Sequence, residues 1–287
     1  MSTTTAPPVG AFCSLERVRF EVLPLKGVED QIAHLPAGAT VTVTSSPSKG
    51  VEATLALCEV LARRDLRVVP HVAARLVRDR RHLRELLART DALGIREVFV
   101  VAGDAPEPAG AYEGAVDLLR EIADVGHRIE EIGVTGYPES HAFIPDDTAI
   151  RAMADKVPYA TYIVSQICFD APTIARWVGA VRARGVTLPI HLGVPGVVDR
   201  ERLLRISMKV GLGDSLRYLR KQHGVFGRLV SGYTADELVA GLASVVGSPT
   251  SGVRGWHLFT FNEVASTEQW RRALLAGGQG AGHGVSQ

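Results

Sequence analysis

The sequence has few cysteines, no long hydrophobic run and almost no net charge, and each shortage excludes a class of protein. It holds 3 cysteines in 287 residues without the spacing of metal ligands, which excludes a disulfide framework and a cysteine-ligated metal. The net charge is +1, so no strong field attracts nucleic acid. The longest apolar stretches, such as Tyr162–Val164, fall far short of the roughly 20 residues that span a membrane.

The two ends of the chain also lack the features of ordered or targeting segments. Residues 1–10 are rich in Ser, Thr and Pro and contain no basic segment followed by an apolar one, so no signal peptide is expected. Residues 1–14 and the Gly-rich residues 277–287 are predicted to be disordered. We therefore expect a cytoplasmic protein with a single domain over residues 15–276.

Between these ends, short apolar runs alternate with longer amphipathic ones. Strands are predicted at 18–23, 40–44, 66–72, 97–102, 131–135, 161–167, 188–194 and 256–261. Helices are predicted near 27–34, 49–64, 80–93, 111–125, 146–157, 171–184, 199–222, 234–246 and 263–275. Eight strand–helix units in which the strands are continuously apolar predict an α/β protein that closes as a (β/α)8 TIM barrel.

Several of these strands end on a polar side chain that can take part in chemistry. The residues are Glu21, His71, Asp104, Glu139 with His141, and Gln166. In a barrel of parallel strands, the carboxyl ends of all strands meet at one mouth, where catalytic residues collect. The pattern therefore predicts an enzyme whose active site lies at that mouth.

The residue types indicate what such a site binds. Burial of Glu21 beside Phe20 and Leu23 raises its pKa and makes it a better proton donor near neutral pH. Asp104 and Gln166 offer planar hydrogen bonding that suits the edge of a pterin or a pyrimidine-like ring. The alternative is that these residues only cap strand ends or pair with Lys and Arg.

The sequence offers candidates for two other kinds of site. His71, His141 and His191 lie near the ends of three strands, but strand one has no His-x-His pair and the spacing matches no ligand pattern, so no metal is expected. The segment 193–196, Gly-Val-Pro-Gly, is open to interpretation as a phosphate-binding loop or as an ordinary turn.

Six fragments resemble the methylenetetrahydrofolate reductase family, in that family's order, from about residue 16 to 275. They are FEVLP, PHVA, AGDAP, YPESH, SQICFD and WHLFTFNE, which are similar to FEFFP, PHLT, RGDLP, YPEVH, TQFFFD and HFYTLNR. The resemblance implies an eight-stranded barrel that reduces 5,10-methylenetetrahydrofolate to 5-methyltetrahydrofolate. It implies that Glu21 is the general acid and that Asp104, Gln166 and Phe169 bind the folate.

The resemblance also concerns the cofactor. Thr44, His71, Tyr137, His141 and Lys156 remain from the residues with which the family contacts a flavin. Five other positions depart from it: Ala102, Ala149 and Ala152 replace polar contacts, and Ser45 and Glu263 replace a tyrosine and an arginine, respectively. These changes favour the flavin-independent members, in which NADH or NADPH passes hydride directly to the folate and FAD or FMN is not tightly held.

Several alternatives stay open at this stage. They are the same reaction through bound FAD or FMN, a reductase acting on another one-carbon pterin carrier, and a non-catalytic barrel that binds folate or a nucleotide. The sequence does not distinguish NADH from NADPH, and it leaves homo-oligomer formation undecided. The expected partners are a folate and a nicotinamide dinucleotide, without nucleic acid or membrane.

Overall fold

The barrel predicted from the sequence is confirmed. The computed structural model describes residues 14–139, 153–198 and 235–280. Its strands are β1 (Arg19–Val22), β2 (Thr40–Val43), β3 (Arg67–Ala73), β4 (Glu97–Val101), β5 (Glu131–Gly136), β6 (Tyr162–Ser165), β7 (Ile190–Pro195) and β8 (Val253–Phe259). Each strand pairs in parallel with the next, and β8 pairs with β1, which closes the barrel.

The helices follow the strands as the alternation predicts. They are α1 (Val28–Ile32), α2 (Gly50–Leu61), α3 (Arg80–Ala92), α4 (Ala115–Val125), α5 (Ala171–Ala183), α6 (Asp236–Gly241), α7 (Ala243–Val246) and α8 (Val264–Gly280). The predicted helix at 199–222 and most of that at 146–157 lie outside the described residues, as do 1–13 and 281–287. None of the described helices is long and apolar enough to cross a bilayer.

Local chemistry sets the ends of these helices. Asp170 begins α5 because its carboxylate accepts a hydrogen bond from the backbone N–H of Thr173 at 3.0 Å, and Asp79 caps α3 in the same way through His82 at 2.8 Å. Gly94, just after α3, has a φ of 70°, which turns the chain left-handed into β4. These caps fix where each helix returns to the barrel.

The two faces of each strand serve different purposes. On β1, Phe20 and Val22 face the helices and are almost fully buried there, whereas Arg19 and Glu21 point into the barrel. An inner apolar layer consists of Val69, Phe99, Tyr162 and Val164. Polar side chains of β1 therefore lie above and below an apolar layer inside the barrel.

The amino-terminal end of the barrel interior is occupied by charge. Arg19 forms an ion pair with Glu97, and the two side chains are only 11% and 9% exposed. The guanidinium of Arg19 also donates to the hydroxyl of Tyr162 at 3.3 Å and lies 4.3 Å from the centre of that ring. The prediction of continuously apolar strands did not include this buried pair, which closes the lower end of the barrel.

The Gly-Val-Pro-Gly segment is the end of β7 and not a phosphate-binding loop. The N–H of Gly193 donates to Ser165 Oγ at 2.7 Å, and the N–H of Gly196 donates to the carbonyl of Phe259 at 3.0 Å. The next N–H, that of Val197, donates to Thr267 Oγ1 at 3.2 Å. These three donors are used within the protein, and residues 193–195 belong to the strand, so the segment is neither the phosphate-binding loop nor the ordinary turn that the sequence left open.

Candidate active site

Glu21 lies on the inner face of β1, one residue before the strand ends at the carboxyl-terminal mouth. Its neighbours across the barrel wall are Thr42 on β2 and Phe259 on β8. Thr260 holds its backbone by donating from Oγ1 to the carbonyl of Glu21 at 2.6 Å. The side chain is 16% exposed, so the carboxyl group is largely removed from water and still reachable from the mouth.

Two imidazole rings face the carboxyl group of Glu21. Nε2 of His257, on β8, lies 2.9 Å from Glu21 Oε2, and Nε2 of His71, on β3, lies 3.8 Å from the same oxygen. The first distance is a hydrogen bond and the second is too long for one. Both imidazole side chains are buried, at 1% and 7% exposure.

Burial determines the protonation of this group. Desolvation raises the pKa of Glu21, and the opposing effect of His71 is smaller. Desolvation lowers the pKa of His71 to about 4 and that of His257 to about 3. At neutral pH both imidazoles are therefore uncharged, and the carboxyl group retains its proton more readily than an exposed glutamate.

Asp104 lies in the loop that follows β4, as predicted, and is exposed to solvent. Gly103 before it has a φ of 91°, and a Cβ there would lie 3.0 Å from Cβ of Ala73, so the turn requires glycine. Arg75 holds the loop by donating to the carbonyls of Ala105, Pro106 and Glu113 at 2.6, 2.7 and 3.2 Å. The loop that carries Asp104 is thus fixed by its own backbone and by one arginine.

The other residues predicted to bind substrate lie at the ends of neighbouring strands. Burial raises the pKa of Tyr137, and the carboxylate of Asp104 raises it further. Gln166 follows β6, is half-buried, and accepts a hydrogen bond from the N–H of Ile167 at 2.9 Å through Oε1. Phe169 is also half-buried. No described hydrogen bond or ion pair links Asp104 or Gln166 to Glu21.

The remaining residues predicted to contact the cofactor are less closely grouped. Thr44 follows β2, and its Oγ1 is buried without a hydrogen-bond partner among the described residues. Lys156 precedes β6 and is 8% exposed, and burial lowers its pKa. No described contact connects it with Glu21. His141 lies outside the described residues.

Three residues of the site were missed as individual candidates, although they belong to the quoted fragment WHLFTFNE. They are His257 and Thr260, which contact Glu21 on β1, and Asn262, which contacts Leu23 just after it. Phe261 and Asn262 have φ values of 50° and 67°, which is uncommon for residues other than glycine. The signal was present in the periodicity, since His257 and Phe259 alternate toward the interior on a strand that must neighbour β1 in a closed barrel.

The described side chains fit neither a metal nor a flavin well. Across residues 14–139, 153–198 and 235–280, no set of three His, Cys, Asp or Glu side chains is arranged to hold a metal. Two positions at which a flavin would need polar contacts do not supply them. The hydroxyl of Ser45 donates a hydrogen bond to the carbonyl of His71 at 2.6 Å, and Ala102, in the loop after β4, offers only a methyl group. These residues therefore fit a flavin poorly.

The fold and the site together define a (β/α)8 barrel with a buried acid–imidazole centre at its carboxyl-terminal mouth. The sequence model of the family described as "Methylenetetrahydrofolate reductase" matches residues 28–270. Since this match covers most of the 287 residues, the chain belongs to the methylenetetrahydrofolate reductase family.

Relatives with curated names support this assignment. The chain is 35% identical over 131 residues to "Methylenetetrahydrofolate reductase 1" of Schizosaccharomyces pombe, a stretch that covers 42% of this chain and 21% of the relative. It is 29% identical over 130 residues to "Probable methylenetetrahydrofolate reductase (NADPH)" of Caenorhabditis elegans, a stretch that covers 42% of this chain and 19% of the relative. It is 26% identical over 132 residues to "Probable methylenetetrahydrofolate reductase (NADH)" of Oryza sativa subsp. japonica, a stretch that covers 40% of this chain and 22% of the relative. The chain spans about a fifth of the length of these relatives.

A solved structure has the same fold. An uncharacterized protein from Clostridium thermocellum, described as binding two copies of 5-methyl-5,6,7,8-tetrahydrofolic acid, aligns with a TM-score of 0.63 over 90% of this chain and 93% of its own. The two sequences are 10% identical, so this likeness concerns the fold alone.

Proposed function

We propose that this protein reduces 5,10-methylenetetrahydrofolate to 5-methyltetrahydrofolate with hydride taken directly from NADH or NADPH. The observation that carries the proposal is the carboxyl group of Glu21, which is buried at the mouth of a barrel of the methylenetetrahydrofolate reductase family and whose pKa is raised by that burial. A raised pKa makes a carboxylic acid a better proton donor near neutral pH, which suits a general acid. The names of the relatives support the same reaction.

The chemistry assigned to Glu21 is the opening of the five-membered ring of the substrate. The carboxyl group donates its proton to one bridging nitrogen, the bond from that nitrogen to the methylene carbon breaks, and an iminium forms on the other nitrogen. Hydride from the nicotinamide then adds to the methylene carbon and gives the methyl group, while the dinucleotide leaves oxidised. The carboxylate of Glu21 recovers its proton from solvent for the next turnover.

The residues at the ends of the neighbouring strands are assigned to binding the folate. Asp104 accepts hydrogen bonds from the ring N–H groups of the pterin, and Gln166 pairs with its edge as donor and acceptor. Phe169 supplies an apolar contact with the folate. Tyr137 borders the same region. In this assignment the folate lies across the mouth above Glu21, and the nicotinamide approaches its other face.

The direct transfer of hydride is proposed because the chain offers little to hold a flavin. Ala102 has no group that binds phosphate, and the hydroxyl of Ser45 is used within the protein. Thr44, His71, Tyr137 and Lys156 are assigned instead to the dinucleotide, which must bring its C4 to about 3–3.5 Å from the methylene carbon. His141 is assigned to the same set. The cytoplasmic location stays a prediction from the sequence.

An isotope experiment distinguishes the two hydride routes. The purified protein is incubated with methylenetetrahydrofolate and NADH that carries deuterium at the transferred position of C4, and the product is examined by mass spectrometry. Direct transfer leaves one deuterium in the methyl group. A flavin intermediate holds the hydride on a nitrogen that exchanges with water, so deuterium is lost from the product.

Each result of that experiment has a definite meaning. Retained deuterium, intersecting double-reciprocal plots and no flavin absorbance support the proposal. Unlabelled product, or activity that appears only after FAD or FMN is added, identifies the flavin route instead. If calorimetry detects folate binding but no reduced product forms with either dinucleotide, the protein is a non-catalytic binder and the proposed reaction is wrong. A reaction without protein controls for chemical reduction.

A further inference from the structure

The contacts of the Glu21 carboxyl group are unevenly shared between its two oxygens. Nε2 of His257 lies 2.9 Å from Oε2, and the nearest nitrogen of His71 approaches that same oxygen. No described hydrogen bond reaches Oε1. If this atom were also buried, it would be one of the buried polar atoms without a partner, and it is not. Oε1 is therefore the oxygen that remains open to the mouth.

The surroundings of His257 indicate which of its ring nitrogens carries the proton. The ring is fully buried, and Nδ1 has no hydrogen-bond partner among the described residues. A neutral imidazole has one N–H and one bare nitrogen, and a buried N–H without an acceptor costs more than a bare nitrogen without a donor. The favoured tautomer thus has its proton on Nε2, where it donates to Glu21 Oε2.

We propose that His257 is the positioning residue of the general acid: its Nε2–H holds Oε2 of Glu21, which leaves Oε1 as the oxygen that carries the transferable proton toward the substrate. The proposal rests on the assignment of Glu21 as the acid. His257 itself neither touches the folate nor transfers a proton. Its donated hydrogen bond becomes stronger when Glu21 loses the proton, so it also stabilises the carboxylate that forms in the reaction.

The position of His257 follows from the barrel and is not a chance contact. Arg19 and Glu21 of β1 pair with His257 and Phe259 of β8, respectively. His257 therefore lies one layer below the carboxyl group of Glu21 and points up to it. The ring is packed between Phe99 and Phe259, with centroid distances of 6.5 and 5.0 Å. The imidazole therefore has little freedom to turn away.

Other polar groups near Glu21 cannot replace this contact. His71 faces Oε2 from β3 at 3.8 Å, beyond hydrogen-bonding distance, and the hydroxyl of Thr260 donates to the backbone carbonyl of Glu21. Arg19 lies two residues earlier on β1 and is paired with Glu97. Of the described side chains, His257 is the one that donates directly to the carboxyl group.

Three variants test the proposal. His257→Phe keeps an aromatic ring in the pocket and removes the donor, and His257→Gln places an amide N–H near the position of Nε2. His191→Phe removes a half-buried imidazole of the interior, one that contacts Tyr162, with ring centroids 5.5 Å apart. We expect His257→Phe to lower kcat roughly 10- to 100-fold with little change in KM. His257→Gln is expected to recover most of that loss.

The pH profile separates positioning from general damage. A general acid must be protonated, so kcat falls as the pH rises through its pKa. Loss of a donor to the carboxylate raises that pKa, so the pH at which kcat falls should move up by about one unit in His257→Phe. In His257→Gln this pH should return toward the wild-type value. In His191→Phe it should not change. An unmoved profile in His257→Phe together with unchanged kcat overturns the proposal.

Two spectroscopic measurements make the result independent of turnover. The infrared band of the protonated Glu21 carboxyl group, identified by its absence in Glu21→Gln, should titrate at higher pH in His257→Phe than in the wild type. Nitrogen NMR of the wild-type protein should show His257 protonated on Nε2, and protonation on Nδ1 overturns the proposal even if the phenylalanine variant does not fold. If these spectra agree while no reduction occurs, the pairing holds and the proposed reaction is what fails.

Discussion

The side-chain amide of Asn262 makes two hydrogen bonds to one residue, Leu23. Its Oδ1 accepts from the N–H of Leu23 at 2.8 Å, and its Nδ2 donates to the carbonyl of Leu23 at 3.0 Å. The chain after β8 thereby replaces the next strand-to-strand bonds of β1, just beyond Glu21. This pairing joins Leu23, two residues after the proposed acid, to a residue 239 positions further along the sequence.

Removal of the Asn262 amide should loosen the end of β1. Asn262→Gly keeps the left-handed backbone, with its φ of 67°, and loses both bonds, so we expect about 1–3 kcal/mol less stability in urea unfolding. Asn262→Asp keeps the acceptor for the N–H of Leu23 and should lose less. Equal stability of the glycine variant and the wild type would contradict the assigned role.

Replacement of the proposed acid should stop the chemistry and leave the fold intact. Glu21→Gln preserves the shape and can still accept from His257, but it has no acidic proton. We expect kcat to fall roughly 10²- to 10⁴-fold, with an unchanged circular dichroism spectrum and folate affinity. The remaining kcat should no longer fall at high pH, because the glutamine has no proton to lose. Activity within a few-fold of the wild type rejects Glu21 as the acid.

The assigned folate contacts can be tested without turnover. Asp104→Ala and Gln166→Ala should each weaken folate binding by about 1–3 kcal/mol in calorimetry, because each removes a planar pair of hydrogen bonds. Asp117→Asn is a suitable control, since Asp117 belongs to α4 and its carboxylate is used within that helix, where it accepts from the N–H of Gly114 at 3.1 Å. Unchanged folate affinity in both variants means that the pterin is held elsewhere.

The buried histidines should make the fold sensitive to acid. Burial lowers the pKa of His71 to about 4 and those of His191 and His257 to about 3, against an ordinary value of 6.5. As the pH falls below 6.5 the unfolded chain takes up protons that the folded chain does not, so stability is lost from there down to about pH 3. Glu21 acts in the opposite sense, because its raised pKa lets the folded state bind a proton first.

Urea unfolding at pH 7 and pH 5 measures this effect. Each buried histidine should contribute about 1 kcal/mol of lost stability per pH unit in that window. His191→Phe, which keeps an aromatic ring against Tyr162, should show a smaller dependence than the wild type. His34→Gln, at an exposed position, is the control. The same slope in His191→Phe and the wild type would show that this imidazole is not the source.

The barrel was predictable from the sequence because its outward-facing residues carry the signal. Residues such as Phe20, Val22 and Val98 pack under helices and produce continuous apolar runs that are typical of parallel strands. The positions of Glu21, Asp104 and Gln166 at strand ends followed from the same runs. Each of these is a local property of a few consecutive residues.

The contacts inside the barrel were not predictable in the same way. The pairing of Arg19 with Glu97 joins residues 78 positions apart, and that of His257 with Glu21 joins residues 236 apart. Such pairs depend on the register between strands, which short apolar strands do not specify by themselves. The fragment WHLFTFNE indicated that the last strand mattered, but only the register places its histidine against the acid.

The buried ion pair at the lower end of the barrel determines the side from which a ligand can reach Glu21. Arg19 and Glu97, with Tyr162 lying against the guanidinium, leave the carboxyl-terminal mouth as the entrance to Glu21. Under the proposed function, the folate and the dinucleotide both enter through this mouth, and the ligand that binds second lies over the one that bound first. The molecule that enters last is then the first able to depart, so an excess of the outer ligand traps the inner one in the barrel.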